Sequence, residues 1–281
     1  MKLSLLLVSY NSLLPLRSCL RSVEEAVRVC GFAVEVIVVD NASADQTLEI
    51  LSHEFPGVKW VANTTNTGFS KACNQAFVMA SGEYALFLNP DTVIPADALA
   101  KTISFLDHNP GVGALGVRML DEKGRFLKES KRGMPGPRAS FFKLFGLAAL
   151  FPSSPFFAAY YAGHLKEDEP GEIDALSGAF LLIRSSLFRE LGGFDESFFM
   201  YAEDIDLSIR IKKAGYSCYY FPQVTITHAK GKSTIKDKLY RERFYGAMAI
   251  FVNKYYGQEP LKAGFLKLGI RFRQLLAGWI G

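Results

Sequence analysis

Glu203 and Asp204 stand side by side at the start of the helical pattern Glu203-Asp-Ile-Asp-Leu-Ser-Ile-Arg210. A carboxylate placed there is a candidate general base, able to take the proton of a hydroxyl whose oxygen becomes a nucleophile. The acids also complement the macrodipole of a helix that ends in Lys212 and Lys213, so a structural role explains the motif equally well. Two more acids close apolar runs: Asp40 follows Val36-Ile-Val-Val39, and Asp91 lies in Leu88-Asn-Pro-Asp-Thr92. Asp40 is placed to accept the imide hydrogen of a uracil or thymine, or else to cap the turn that begins at Asn41. Asp91, with amide and hydroxyl neighbours Asn89 and Thr92, offers the oxygen ligands that a hard divalent cation between two phosphates requires. His228 ends the run Val224-Thr-Ile-Thr227 and is either a structural imidazole or a ligand. In Asn66-Thr-Gly-Phe-Ser-Lys-Ala-Cys-Asn74, Gly68 opens a helix whose unpaired N–H groups and dipole attract an anion such as a diphosphate.

The elements that must hold these residues alternate along the chain. Apolar runs at 3–8, 34–39, 58–62, 84–88 and 112–117 are rich in Val, Leu and Ile and bounded by polar turns, which predicts buried strands. Between them Leu16, Leu20, Val23 and Val27, then Phe69, Cys73, Ala76 and Phe77, then Leu99, Ile103 and Leu106, repeat at helical spacing. Alternating βα units predict a Rossmann-like, mostly parallel sheet flanked by helices. Ligands of such sheets bind beyond the carboxyl ends of the strands, which is where Ser9, Asp40, Asn63 to Asn66 and Asp91 fall.

Composition narrows the function. At 281 residues and 49% hydrophobic the chain can bury a large core. The opening Met1-Lys-Leu-Ser-Leu-Leu-Leu-Val8 reads as a first strand, since no small-residue cleavage site follows it. No apolar run reaches the roughly 20 residues of a spanning helix. Cys19, Cys30, Cys73 and Cys218 form neither a C-x-x-C nor a paired framework, which points away from disulfides and zinc and toward a cytoplasmic location. Neither G-x-G-x-x-G after the first strand nor G-x-x-x-x-G-K-[ST] is present, so dinucleotide redox enzymes and P-loop NTPases are set aside.

The net charge of +4 is unevenly spread, with residues 230–281 holding 11 Lys and Arg against 3 acids. Two segments follow the βα pattern before that tail. Lys123, Arg125, Lys128, Lys131, Arg132 and Arg138 surround Gly133-Met-Pro-Gly-Pro137 and predict a mobile basic loop, and residues 141–161 gather eight Phe and Tyr. In the tail Leu261, Phe265, Leu268, Phe272, Leu275, Leu276 and Trp279 share one helical stripe, with Lys267, Arg271 and Gln274 opposite. That pattern suits an in-plane membrane anchor, a helix docked on its own domain, or a homodimer contact. Its aromatics follow helical spacing rather than the interleaving of stacking platforms, so nucleic acid is not an expected partner.

Taken together, Val8-Ser-Tyr-Asn11, Val39-Asp-Asn41 with Ser43, Asn66 with Gly68, Phe69 and Asn74, Asn89-Pro-Asp91, Ser177-Gly-Ala-Phe180, Gly193-Phe-Asp-Glu196 and Glu203-Asp-Ile-Asp206 occur in an order that resembles the family-2 inverting glycosyltransferases of the GT-A fold. The resemblance is particularly to bacterial rhamnosyltransferase-like members of cell-surface polysaccharide synthesis, and it covers about residues 3–233. It implies a GT-A domain over 1–233, with a nucleotide-sugar half at 1–120 and an acceptor half at 121–233, followed by a basic amphipathic helical tail at 234–281.

The resemblance also implies roles. Ser9, Tyr10, Asn11, Asp40, Asn41, Asn66, Gly68, Phe69, Asn74 and Asn89 would hold a nucleoside-diphosphate sugar, dTDP-rhamnose or a UDP-sugar. Asp91 and His228 would hold Mg²⁺ or Mn²⁺, Ser177 and Gly178 would meet the acceptor, and Asp204 would be the base. Glu203, about 100° away around the helix, would hydrogen-bond acceptor or backbone. The acceptor would be a glycan or a polyprenyl-diphosphate-linked sugar at the cytoplasmic face of the inner membrane. Asn89 departs from the family, standing where the first acid of its D-x-D element is expected and leaving one carboxylate there. Two rivals are a non-catalytic nucleotide- or glycan-binding scaffold and a sugar-phosphate nucleotidyltransferase. The second normally has a Gly-rich basic loop where this chain has Ser9-Tyr-Asn-Ser-Leu13.

Overall fold

A computed structural model describes residues 1–134, 136, 159–229 and 238–279. The aromatic segment 141–158, Arg138 and the Lys230-Gly-Lys-Ser233 motif lie outside the described residues, as do the side chains of Leu275, Leu276 and Trp279.

The expected βα alternation builds the first half of the chain. Strand β1 (Leu3–Ser9) leads through helix α1 (Leu13–Val29) to β2 (Val34–Asp40), then through α2 (Thr47–Glu54) to β3 (Lys59–Ala62). Helix α3 (Phe69–Val78) returns the chain to β4 (Tyr84–Leu88). The stripe read from the sequence of α1 is its buried face, with Leu16, Leu20 and Val23 in the core beside Cys19. Pro15, in the first turn, costs α1 no hydrogen bond.

The second half adds β5 (Thr92–Val93), α4 (Ala98–His108), β6 (Val112–Leu120), β7 (Gly171–Ile173), β8 (Phe180–Arg184), α5 (Ser185–Glu190), α6 (Glu203–Lys213), β9 (Ser217–His228), α7 (Lys238–Tyr256) and α8 (Pro260–Trp279). The strand order is β3-β2-β1-β4-β8-β6-β9-β5, with β7 beside β9. The sheet is parallel across β3, β2, β1 and β4, as expected. Beyond β4 it is mixed, because β8 runs antiparallel to both β4 and β6. That reversal serves the site, since it brings the start of β8, with Ser177 and Gly178 just before it, to the edge where β1, β2, β4, β6 and β9 end.

Apolar side chains cover both faces of the sheet. One layer packs α1 and α4 on Leu3, Leu5, Leu7 and Leu86. The other packs α3 and α6 on Leu6, Ile37, Phe87 and Ile183. A third cluster joins Ile205 and Ile209 of α6 to Ala247 and Phe251 of α7, with Phe198 between them. Helix α7 is therefore docked on α6, and α8 packs against α7.

Candidate active site

Strand register assembles the site. Ser9 pairs with Asp40, and Asp40 with Ala62, so the ends of β1, β2 and β3 lie side by side. Leu88 pairs with Phe180, and the N–H of Asn89 donates to the Ala179 carbonyl at 3.1 Å. Thr92 pairs with His228, while the Ala229 N–H donates to the Asp91 carbonyl at 2.9 Å. Asp40, Asn89, Asp91, Gly178 and His228 thus share one sheet edge.

Asp204 reaches that edge from the first turn of α6. Its Oδ2 accepts the Gly178 N–H at 3.1 Å and pairs with Arg132 Nη2 at 2.5 Å. Its Oδ1 accepts the Ile205 N–H at 2.8 Å. Arg132 also donates to the Leu176 carbonyl, so its charge is clamped beside the acid. Arg132 was expected in a mobile basic loop with Lys131, and both are instead buried. Lys131 donates to the carbonyls of Ala162, at 3.0 Å, and Leu165, at 2.6 Å. A cation that finds such partners loses little by leaving water, which is why the basic run does not remain a solvated loop.

Glu203 is buried, and its Oε2 has no hydrogen-bond partner among the described residues. Burial, reinforced by the charge of Asp204, pushes its carboxyl up to about 8. At neutral pH Glu203 is therefore mostly a neutral acid with an O–H to donate, while its neighbour is an arginine-paired carboxylate. Divergent environments for adjacent acids are how one site assigns different roles to two carboxyls. Ahead of them, Tyr201 and Ala202 both adopt positive φ, 72° and 66°. Two consecutive non-glycine residues in that region store strain where α6 begins, as functional sites often do.

Asp91 Oδ1 lies 3.2 Å from His228 Nε2, yet this buried oxygen makes no hydrogen bond among the described residues. An orphaned carboxylate oxygen facing an imidazole nitrogen fits one corner of a cation site. Among the described residues no third His, Cys, Asp or Glu joins them, so a cation there would draw its remaining ligands from substrate and water. Of the two roles expected of Asp40, the turn cap is visible. Its Oδ2 accepts the Ser43 N–H at 2.9 Å, the turn-capping bond, and its Oδ1 is buried without a partner among the described residues.

Other residues expected to touch the donor are occupied elsewhere. Asn41 Oδ1 accepts from Asn63 Nδ2 and the Thr67 N–H, and its Nδ2 donates to Asn66 Oδ1 and the Gly68 carbonyl, tying the loop after β2 to the one before α3. Asn74 spends its whole amide on the loop before α6, exchanging bonds with Phe194 at 2.8 Å each way and donating to Glu196 at 3.0 Å. These amides staple neighbouring loops together. Two N–H groups at the start of α3 bind protein: the Gly68 N–H goes to Asn66 Oδ1 at 3.0 Å, and the Phe69 N–H to the Phe199 carbonyl at 2.6 Å. Gly68 is required there by close approach, because a Cβ would lie 2.6 Å from the Phe199 carbonyl oxygen.

At the end of β1, Ser9 is buried with its hydroxyl 2.9 Å from that of Ser12, and Tyr10 is exposed. Asn11 Oδ1 accepts the Ala44 N–H at 2.7 Å, and its own N–H donates to Ser43 Oγ at 2.9 Å. These bonds brace the loop that carries Asp40.

A mixed sheet with acids along its strand-end edge and an acid-bearing helix across from them is the architecture of GT-A glycosyltransferases. The comparisons with known proteins agree. The model of the family described as Glycosyl transferase family 2 matches residues 4–192, and the chain belongs to that family and is a glycosyltransferase. It is 32% identical over 218 residues to the N-acetylglucosaminyl-diphospho-decaprenol L-rhamnosyltransferase of Mycobacterium tuberculosis, covering 73% of this chain and 69% of the relative. It is 27% identical over 207 residues to the Escherichia coli rhamnosyltransferase WbbL, covering 69% of this chain and 72% of that one. Among solved structures it shares its fold with the Pyrobaculum calidifontis mannosyltransferase PcManGT in complex with GDP-Man and Mn²⁺ (TM-score 0.60, 19% identity, 100% of this chain and 75% of that one). It also shares it with the S. aureus TarS fragment 1–349 bound to UDP-GlcNAc (TM-score 0.57, 22% identity, 90% of this chain and 66% of that one).

Sequence reasoning missed Arg132 and, behind α6, Lys254 and Tyr255. Lys254 Nζ reaches Asp195 at 2.5 Å and Asp206 at 2.6 Å, and the Tyr255 hydroxyl donates to Asp206 at 2.6 Å. The one available signal was Asp206 itself, an acid on the inward side of an amphipathic helix that needs a buried cation or donor.

Proposed function

We propose that the protein transfers a sugar, rhamnose in the first instance, from a nucleoside-diphosphate donor to a hydroxyl of a lipid-linked glycan acceptor with inversion of configuration. The observation that carries this is Asp204, a carboxylate anchored through one oxygen by Arg132 and the Gly178 N–H at the strand-end edge. Among the described residues its other oxygen has one bond, to Ile205, which leaves a lone pair for a substrate proton. The donor base is assigned to Asp40, whose orphaned Oδ1 suits the imide N–H of thymine or uracil. The rhamnosyltransferase relatives support the sugar, and the diphospho-decaprenol in one relative's name supports the acceptor class.

In the proposed step the acceptor oxygen attacks the anomeric carbon from the face opposite the leaving group. The bond from that carbon to the diphosphate oxygen breaks with its electron pair, and the acceptor proton passes to Asp204. Arg132 holds the carboxylate in place and disperses charge around it. Glu203, protonated, is assigned a hydrogen bond to the acceptor, and Ser177 and Gly178 form its floor. Asp91 and His228 would hold a divalent cation, which when bound supplies charge neutralisation to the departing diphosphate. A Mn²⁺-bound structural neighbour supports a divalent metal.

A donor panel tests this reading. Thermal shifts with dTDP, UDP and GDP, each with Mn²⁺ or chelator, should single out one pyrimidine diphosphate, by the equivalent of about 2.7 kcal/mol at 100 times its dissociation constant. The shift should need metal and vanish in Asp91→Ala. A shift indifferent to metal and to Asp91 would remove the metal assignment, and none with any nucleotide would remove the donor class.

A further inference from the structure

The structure assigns helix α8 to the surface of an anionic lipid bilayer, lying in the plane of the interface. At 100° per residue Leu261, Phe265, Leu268 and Phe272 fall within an arc of about 60°. Leu261 is 90% exposed and Leu268 67%, values that a helix spent on its own core does not show. The core-facing side is a different one. Ala263 is 5% exposed, Leu266 and Ile270 on the same side are half-buried, and the Tyr245 hydroxyl of α7 donates to the Arg273 carbonyl. The alternatives left open for the tail therefore apply to different faces of one helix. It docks on its own domain through Ala263, while Leu261, Leu268 and Phe272 stay largely exposed.

Charge identifies what covers them. Arg271 borders the stripe on one side and Arg273 lies beyond it on the other, with Lys267 further round and Lys262 paired with Glu259 just before the helix, and no Asp or Glu occurs between Pro260 and Trp279. Apolar side chains entering the acyl boundary while flanking Lys and Arg reach the headgroups is the arrangement of an interfacial helix. Each such cation adds attraction to an anionic leaflet. No described helix is long and apolar enough to cross a membrane, which leaves the in-plane mode. A second copy on the same stripe would set these cations against their equivalents, at a cost that lipid phosphates do not incur. Because α8 packs on α7, and α7 holds Asp206 of the base-bearing helix through Lys254 and Tyr255, docking would seat the active site at the bilayer.

Flotation of the full chain with phosphatidylcholine vesicles, and with vesicles that also contain phosphatidylglycerol, tests this without a substrate and apart from the donor assignment. The wild type is expected to float with the anionic vesicles and to be released by high salt. Leu261→Ser, Leu268→Ser and Phe272→Ser combined should lower the bound fraction at least about tenfold, as should Lys267→Glu with Arg271→Glu. Circular dichroism and thermal melting would confirm that both variants remain folded. Failure of the wild type to float, or flotation of the folded triple variant like the wild type, overturns the assignment. So does a wild-type dimer in light scattering that the triple variant converts to monomer, since a second copy then covers the stripe.

Discussion

Asp204 and Glu203 differ by one position and by almost everything that matters electrostatically. Asp204 has a guanidinium and a backbone N–H on one oxygen, whereas Glu203 is enclosed and lacks a partner for Oε2 among the described residues. The Glu203 carboxyl, raised from its ordinary 4.5 to about 8, keeps its proton in the fold over a range where the unfolded chain releases it. Between those values the native state binds the extra proton, so its contribution to stability is fully present below pH 4.5 and is lost as pH rises through 8. Glu203→Gln, which mimics the protonated form, should therefore flatten the decline of melting temperature between pH 5 and 8.5 and make the protein more stable than wild type at the alkaline end. Parallel melting curves for the two proteins across that range would show that Glu203 is ionised in the fold.

At the scale of elements, the site depends on the loop between α5 and α6 being held from several sides. Helix α3 grips it through Asn74 and through the Phe69 N–H on the Phe199 carbonyl. Helix α7 grips it with Lys254 on Asp195 and the Arg243 guanidinium 4.0 Å from the Phe199 ring centre. These ties fix Tyr201 and Ala202 in their strained conformations and so aim Asp204. Gly68, at φ 88° and ψ 168°, sits in a region open essentially to glycine alone. Gly68→Ala should cost about 1–3 kcal/mol in urea unfolding from backbone strain, with the Phe199 contact adding to it. Catalysis should fall further than the lost stability explains, because the displaced loop carries α6. An alanine variant as stable as wild type would mean that the Phe199 contact yields freely.

For the whole molecule, the strands and the acids at their ends are readable from the sequence because buried parallel strands are continuous apolar runs, and residues that follow them must lie on one edge. The mixed second half is harder to read: β8 and β9 look like the other runs, and their directions depend on distant partners. Arg132 is hidden for a similar reason. It lies 72 positions from Asp204 in a stretch whose composition says solvated loop, and only the fold supplies the carboxylate that makes its burial favourable. Asn41 and Asn74 show the reverse limit, since an amide serves a ligand or a neighbouring loop equally well. The tail needs two faces to be distinguished, and the Ala263 face is too small-sided to stand out beside the stripe of Leu and Phe.

The central claim is that Asp204 takes the acceptor proton while the rest of the edge holds the donor. Its most direct test is the turnover number of wild type and Asp204→Asn for transfer from the preferred nucleotide sugar to a polyprenyl-diphosphate-linked acceptor, with nucleotide affinity measured by calorimetry on the same samples. Turnover is expected to fall about 10²- to 10⁴-fold with nucleotide affinity unchanged. Turnover close to wild type, or a parallel loss of turnover and nucleotide affinity, would contradict it.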